Sequence, residues 1–448
     1  MESVGFNRVW EGSMSSSQDI VITGVGIVSS IGSDTETFYQ SLQNLRSGIQ
    51  ESLFSGLSQE CPWLIGGKIT EFHPEKIIKP RKNLKVMSRD IQLCVVASIP
   101  AVESAGITTQ SSCRPAAERI GVVCGADLMA VNLQELAPAF HKCIETCEND
   151  DLQNIDHRWF NMLEEWGGKA FPEIFPLWML KYLPNMHACH IAIAQDARGP
   201  NNTLTLGECS FAAVLDEAVS VIRRDAADLM ITGAVGDYLH PNCMLPRQSF
   251  PLSSYRPADK ACRPFDRERT GTVLGEGAGT FVLERRDRAE MRGAKILGTL
   301  MGVANGFEPR VHGTWTGRGF RAVIRSLLAK TGVRPEEIAH VNASAMGLPE
   351  DDRVEAMAIR ETLGDVWVTA PKSFFGNLGA GTGAVELAVS LLALQRREVL
   401  PTLNYETPDP LCPVRVVSGS AIPEERPYAI SLNHTHAGNV TAVLIRRD

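Results

Sequence analysis

Glu208 and Cys209 open a stretch, residues 208–224, whose apolar spacing predicts a helix. A carboxylate at a helix N-terminus is favoured in its ionised form by the dipole. Ionised, it can act as a general base on a water or hydroxyl. Burial opposes this by raising the carboxyl pKa, and the letters leave that balance open. Cys209 is the neighbouring thiol, but one helical step turns a side chain by about 100°. The two residues therefore face different surroundings. His434 and His436 stand two apart near the C-terminus and read either as acid–base groups or as hydrogen-bonded loop histidines.

Other spacings exclude chemistry. Gly275, Gly277 and Gly279 lack the following Lys-Ser or Lys-Thr of a phosphate loop and suit close backbone packing instead. Cys143 and Cys147 share a helix face, yet no second ligand pair accompanies them, so no metal is expected. The 11 cysteines are scattered at spacings that frame neither disulfides nor zinc, which points to a reducing, cytoplasmic compartment. A formal net charge of −8 argues against nucleic acid as a partner. No signal-peptide pattern is expected, and no apolar run is long enough for a membrane span.

These residues need a scaffold, and the chain alternates helix and strand patterns along its length. A β-branched run at 20–28 reads as a buried strand, followed by helical periodicity at 35–48 and 88–105. Residues 121–125 and 229–233 read as further buried strands, with a helix around 185–196 between them. A glycine-rich lead-in introduces a strand at 273–284. From about 293 a second set begins, with a helix at 318–331, a strand at 338–342 and a closing strand at 441–445. Such alternation predicts a layered α/β architecture. Residues 1–17 read as a flexible leader, with Met14 as an alternative start. An N-terminal half then spans 18–292, with an excursion of acidic and aromatic character at about 142–172, and a C-terminal half spans 293–448.

Several stretches, taken in order, carry a resemblance. They are Ser47-Gly48-Ile49, Pro184-Asn185-Met186, Gly199-Pro200-Asn201 and Arg263-Pro264-Phe265-Asp266 with Gly275-Glu276-Gly277-Ala278-Gly279. Val341-Asn342-Ala343 follows with Pro349, Asp352 and Glu355, and then Lys372-Ser373 with Gly376. Together they are similar to β-ketoacyl-acyl-carrier-protein synthase II and the polyketide ketosynthases of the thiolase superfamily. The resemblance covers nearly the whole chain after residue 18. It implies the duplicated thiolase fold, five layers of α-β-α-β-α, with both halves thiolase-like, and a dimer.

The family condenses acyl chains with a cysteine at the start of a buried helix and two histidines that stabilise developing negative charge. Register with the flanking motifs places Glu208 at the cysteine, Ser344 at the first histidine and Asn377 at the second. The family's Gly-Phe-Gly-Gly gate corresponds to Thr435-His436-Ala437-Gly438. The resemblance thus implies Glu208, Ser344, Asn377, His436, His434 and Lys372 as catalytic candidates. It gives Cys209, Thr435 and Gly438 as substrate contacts, with Asp352 and Glu355 as loop supports. No cofactor is implied beyond the phosphopantetheine arm of an acyl carrier protein or CoA.

Three functions fit that pattern. A carboxylate would accept an acyl group only as a labile mixed anhydride, which disfavours covalent condensation at Glu208. The leading expectation is a non-condensing, chain-length-factor-like subunit of fatty acid or polyketide biosynthesis. It would work with an acyl carrier protein, in a homodimer or in a heterodimer with a Cys-containing ketosynthase. A second is an acyl-thioester hydrolase or acyltransferase using Glu208 and His436, with Ser344 and Asn377 able to hydrogen-bond the thioester carbonyl. A third is an atypical condensing synthase using Cys209 after a local shift in helix register.

Overall fold

A computed structural model describes residues 18–51, 65–127, 131–147, 166–240, 243, 251–310 and 314–448. The leader at 1–17 and much of the 142–172 excursion lie outside the described residues. In the first half the main elements are β1 (Ile20–Ser29), α1 (Arg89–Ser104), β2 (Ile120–Gly125), α2 (Met186–Gln195) and β3 (Asn201–Leu204). They continue with α3 (Ser210–Arg223), β4 (Leu229–Asp237) and β5 (Leu274–Arg285). The second half repeats the succession: β6 (Gly298–Phe307), α4 (Arg318–Thr331), β7 (Ile338–Asn342) and α5 (Pro349–Leu363). It closes with β8 (Trp367–Thr369), α6 (Thr382–Arg396), β9 (Tyr428–His434) and β10 (Asn439–Arg446).

The strand orders are β3-β2-β4-β5-β1 and β8-β7-β9-β10-β6. Adding five to each strand number of the first order gives the second. The senses also agree. β2 runs parallel to β3 and β4, and β5 antiparallel to β4 and β1. Likewise β7 is parallel to β8 and β9, and β10 antiparallel to β9 and β6. The halves are joined where Ile20–Ile22 pair with Gly298–Leu300. The fold is therefore a duplicated thiolase-like α/β unit, although no repeat is visible in the letters.

Burial explains the layering. β1 is buried along its whole length, as a β-branched run covered on both faces must be. Gly24 and Gly26 let α1 lie directly on it: a Cβ at either would stand 2.1 Å from a carbonyl oxygen of that helix. α1 and α2 cover the outer face of the first sheet, packing Ile91, Val95 and Ile191 on Val122, Leu229 and Ile231. α4 and α5 cover the second, with Phe320, Ile324 and Ile359 on Val341, Ile430 and Leu444. Between the sheets lie α3 and α6, whose Phe211, Val214, Leu215, Leu387 and Leu391 share one core. α6 is buried from Thr382 through Leu394, so it is covered all round rather than along one stripe. That makes five layers.

Some boundaries differ from the sequence reading. The helix expected at 35–48 ends at Gln43, and the one expected from 208 is a 3₁₀ turn at Gly207–Cys209 before α3 proper. The excursion starts earlier than expected, in a helix at Leu133–Cys147 whose Cys143 packs on Ala139, Ala170 and Ile174. Among the described residues no group of three or more potential metal ligands occurs, and no helix is long and apolar enough to cross a membrane.

His340 in β7 has no exposed surface, and burial pushes its imidazole pKa down to about 4. Below pH 6.5 the unfolded chain binds a proton here that the folded chain refuses until about pH 4. Stability is therefore fully present above pH 6.5 and falls across that window, by about 3 kcal/mol at 1.36 kcal/mol per pKa unit. Urea midpoints measured from pH 7 to pH 4 should fall less steeply in His340→Leu than in the parent chain. Parallel curves would contradict this account.

Candidate active site

β3 hands over to α3 through Gly207, whose φ of 54° lies in the left-handed region, and Ser210 Oγ accepts the Leu206 N–H at 2.8 Å. This turn delivers Glu208, 3% exposed, to the inner end of α3. Its Oε1 accepts a hydrogen bond from Asn377 Nδ2 at 2.9 Å. Asn377 is fixed in turn. Its Oδ1 accepts from Gly379 N–H and Thr382 Oγ1, both at 3.0 Å, which determines which end of the amide faces Glu208. Its backbone bridges to β5, donating to Val273 O at 2.7 Å and accepting from Gly275 N–H at 2.8 Å.

Cys209 points elsewhere. Its thiol lies 3.6 and 3.5 Å from the carbonyl oxygens of Asn433 and Asn439, and burial pushes its pKa up to about 12. The expected substrate contact at Cys209 is thus replaced by packing against β9 and β10. A condensing role for this thiol is at odds with that geometry. Lys372, expected among the catalytic groups, forms a buried ion pair with Glu386 at 2.6 Å. Glu386 also accepts from Asn433 Nδ2 at 2.7 Å. Burial raises the Glu386 pKa, and Lys372 and Asn433 oppose that rise. Lys372 therefore positions α6 and β9 rather than facing the Glu208 pair.

The loop after β7 carries Ser344. Glu355 on α5 accepts the N–H groups of Ser344 and Ala345, at 2.7 and 2.8 Å. Asp352 accepts those of Phe265 and Gly347, at 3.0 and 3.1 Å. Both carboxyls are pushed up by burial, Glu355 to about 7 and Asp352 to about 6. Ser344 Oγ lies 2.8 Å from His434 Nδ1 and accepts the His434 N–H at 3.2 Å. His434 Nε2 lies 3.3 Å from Asp351 Oδ2, which Arg310 approaches at 2.5 Å. Trp315 and Phe320 meet the imidazole edge-on, at centroid separations of 4.9 and 5.3 Å.

Thr435 and Gly438 close the hairpin between β9 and β10. Thr435 N–H donates to Asn439 O at 2.9 Å, and Gly438 N–H to Thr435 O at 3.1 Å. Gly438 has φ 114°, and a Cβ there would meet Glu308 O at 2.4 Å. These two expected substrate contacts serve the turn itself. His436 at its tip is half-buried. Burial and Arg310 lower its pKa, and it lies within electrostatic reach of Asp351, His434 and Glu208. The structure therefore brings the candidates together as a Glu208–Asn377 pair and a Ser344–His434 pair, with His436 between hairpin and solvent. Asp351 and Arg310 escaped the sequence reading. Asp351 sits in an acidic helix start, where a carboxylate signals nothing special, and Arg310 belongs to no motif.

The chain belongs to the β-ketoacyl synthase family: the family model for the beta-ketoacyl synthase N-terminal domain matches residues 17–289, and that for the C-terminal domain residues 298–406. It is 29% identical to a 3-oxoacyl-[acyl-carrier-protein] synthase 2 of Synechocystis, over 90% of this chain and 91% of that protein. A namesake from Staphylococcus aureus is also 29% identical, over 96% and 99%. Among solved structures, a beta-ketoacyl synthase from Burkholderia phymatum superimposes with TM-score 0.80 at 23% identity, covering 96% of this chain and all of that one. The ishigamide ketosynthase/chain length factor gives 0.79 at 23% identity, covering 96% and 99%.

A thiol with a pKa of about 12 is about one part in 10⁴ thiolate at pH 8, against roughly a quarter for an ordinary cysteine. Iodoacetamide applied to the folded protein at pH 8 should alkylate exposed Cys113 and spare Cys209, with rates about 100-fold apart or more by peptide mapping. Comparable rates at the two positions would refute the assignment.

Proposed function

We propose that this chain is a non-condensing ketosynthase-like subunit that holds acyl thioesters in fatty acid or polyketide synthesis, alongside a Cys-containing ketosynthase. The observation that carries this reading is the Glu208–Asn377 pair. A carboxylate bound to an amide opens the helix at which the family places its nucleophile, and the adjacent thiol faces away. A carboxylate there offers no stable acyl acceptor. When ionised, it also repels the enolate that decarboxylation would create. Hydrolysis by Glu208 and His436 has less support, because Asn377 already occupies one Glu208 oxygen.

A partner surface is available. Among the described residues β3 pairs only with β2, and its outer residues Asn201 and Asn202 are exposed. An unpaired strand edge is a template for pairing with another chain. Ile193 on α2, Leu206 after β3, and Phe171, Leu177 and Met179 in the turns before α2 are exposed apolar side chains of the kind that partner surfaces carry. The solved ketosynthase/chain length factor of ishigamide supports pairing of two such chains, and a type II polyketide ketosynthase solved with its acyl-carrier protein supports delivery of the acyl group on a carrier. The acyl group would arrive on phosphopantetheine, with no other cofactor required.

Co-expression with a Cys-containing ketosynthase of the same organism tests the proposal. Native mass measurement should show a 1:1 heterodimer, and the chain alone should not condense malonyl and acyl carriers. A homodimer that ignores the ketosynthase, or condensation by the chain alone, would refute it.

A further inference from the structure

Asp351 and Arg310 have no part in the Glu208–Asn377 pair, yet they complete a second polar arrangement at the Ser344 loop. Ser344, His434 and Asp351 are each at most 2% exposed. The contacts run Ser344 Oγ to His434 Nδ1 at 2.8 Å, then His434 Nε2 to Asp351 Oδ2 at 3.3 Å. Arg310 follows at 2.5 Å from the same carboxylate oxygen. Facing a carboxylate, Nε2 carries the imidazole proton, which leaves Nδ1 as the acceptor. Ser344 Oγ already accepts the His434 N–H at 3.2 Å, so its own hydrogen is directed at Nδ1.

Hydroxyl, imidazole and carboxylate in that order are the parts of an activated nucleophile. Against the effect of burial, the hydrogen bond from His434 and the Arg310 guanidinium hold the Asp351 pKa below its ordinary value, so the carboxylate is charged. The flanking rings of Trp315 and Phe320 fix the plane of the imidazole. A loop needing only to be folded is already held by Glu355 through the Ser344 and Ala345 amides.

We propose that Ser344 is an acyl acceptor, activated by His434 and Asp351, that takes an acyl group from a thioester. The Ser344 oxygen forms the ester bond as the carbon–sulfur bond breaks. Its proton passes to His434 Nδ1 and from there to the departing thiolate. Water then attacks the ester by the reverse proton route, releasing a carboxylic acid and restoring Ser344. The relay lies beside the hairpin 435–438, which runs on from His434 to exposed Ala437. Because the Ser344 and Ala345 amides are committed to Glu355, they are not oxyanion donors. Loss of one such donor costs about 10²–10³ in rate. Slow acyl transfer is therefore expected, read as a covalent adduct rather than as turnover.

This inference rests on the reading that the chain binds acyl thioesters. The test exposes the full-length protein to octanoyl-CoA and, separately, to an alkyl fluorophosphonate, with adducts located by peptide mass mapping and octanoyl-CoA binding followed by calorimetry. Both reagents should modify Ser344, and Ser344→Ala should abolish the adduct. His434→Gln should slow phosphonylation about 100-fold. Asp351→Asn, which keeps the side-chain volume, should also slow it and change its pH profile. Octanoyl-CoA binding without a Ser344 adduct from either reagent overturns the relay but leaves the acyl-thioester reading intact. Absence of both binding and adducts overturns both. Equal phosphonylation of the parent chain, His434→Gln and Asp351→Asn, all folded by thermal melt, reduces the arrangement to a structural one.

Discussion

A carboxyl buried at the meeting point of two half-domains must be matched by a donor that is itself held in place, and much of this site follows from that demand. Glu208 belongs to the first half and Asn377 to the second, so their hydrogen bond crosses the pseudo-symmetric boundary. The same asparagine engages the first turn of α6 through Thr382 and clasps β5 through its backbone. One amide thus sets the entry of both central helices relative to the first sheet. An unmatched buried polar group costs about 1–3 kcal/mol, which is a large share of the stability of an ordinary domain.

The two polar groupings differ in electrical character. Glu208 is matched by a neutral amide, whereas Ser344 stands at the end of a chain that runs through an imidazole to a charged pair. Around them, Lys372 with Glu386 and Arg269 with Asp352 and Asp409 form buried ion pairs that keep the loops in register. Such pairs gain little net stability against their desolvation cost, but losing either partner is severe. The scaffold is therefore intolerant of single changes at those positions.

Much of the fold was legible in the letters because its strands are buried on both faces and so read as continuous apolar runs. The register of Glu208, Ser344 and Asn377 followed from flanking motifs, and the structure brings Glu208 and Asn377 within one hydrogen bond. The destinations of other side chains were not legible. Cys209 turned into β9 and β10, and Thr435 and Gly438 turned out to shape a hairpin, because those outcomes depend on strands more than 200 residues away in sequence or on a backbone angle. Asp351 was hidden for a related reason: its meaning comes only from His434, which a different strand delivers. The duplication was implied by the family resemblance but left no repeat in the letters, since equivalent strands share burial rather than residues.

The all-round burial of α6 also bears on synthesis. The inner face of the first sheet packs on α3 and α6 together, so an emerging chain cannot close that core until residue 396 has left the ribosome. At about 5–20 residues per second, β1 waits on the order of 20–80 s for its last covering helix. During that interval the first half presents an uncovered apolar face to solvent. The nascent N-terminal half is thus a natural client for chaperones, and premature termination before α6 would leave a fragment destined for aggregation rather than a folded half-protein.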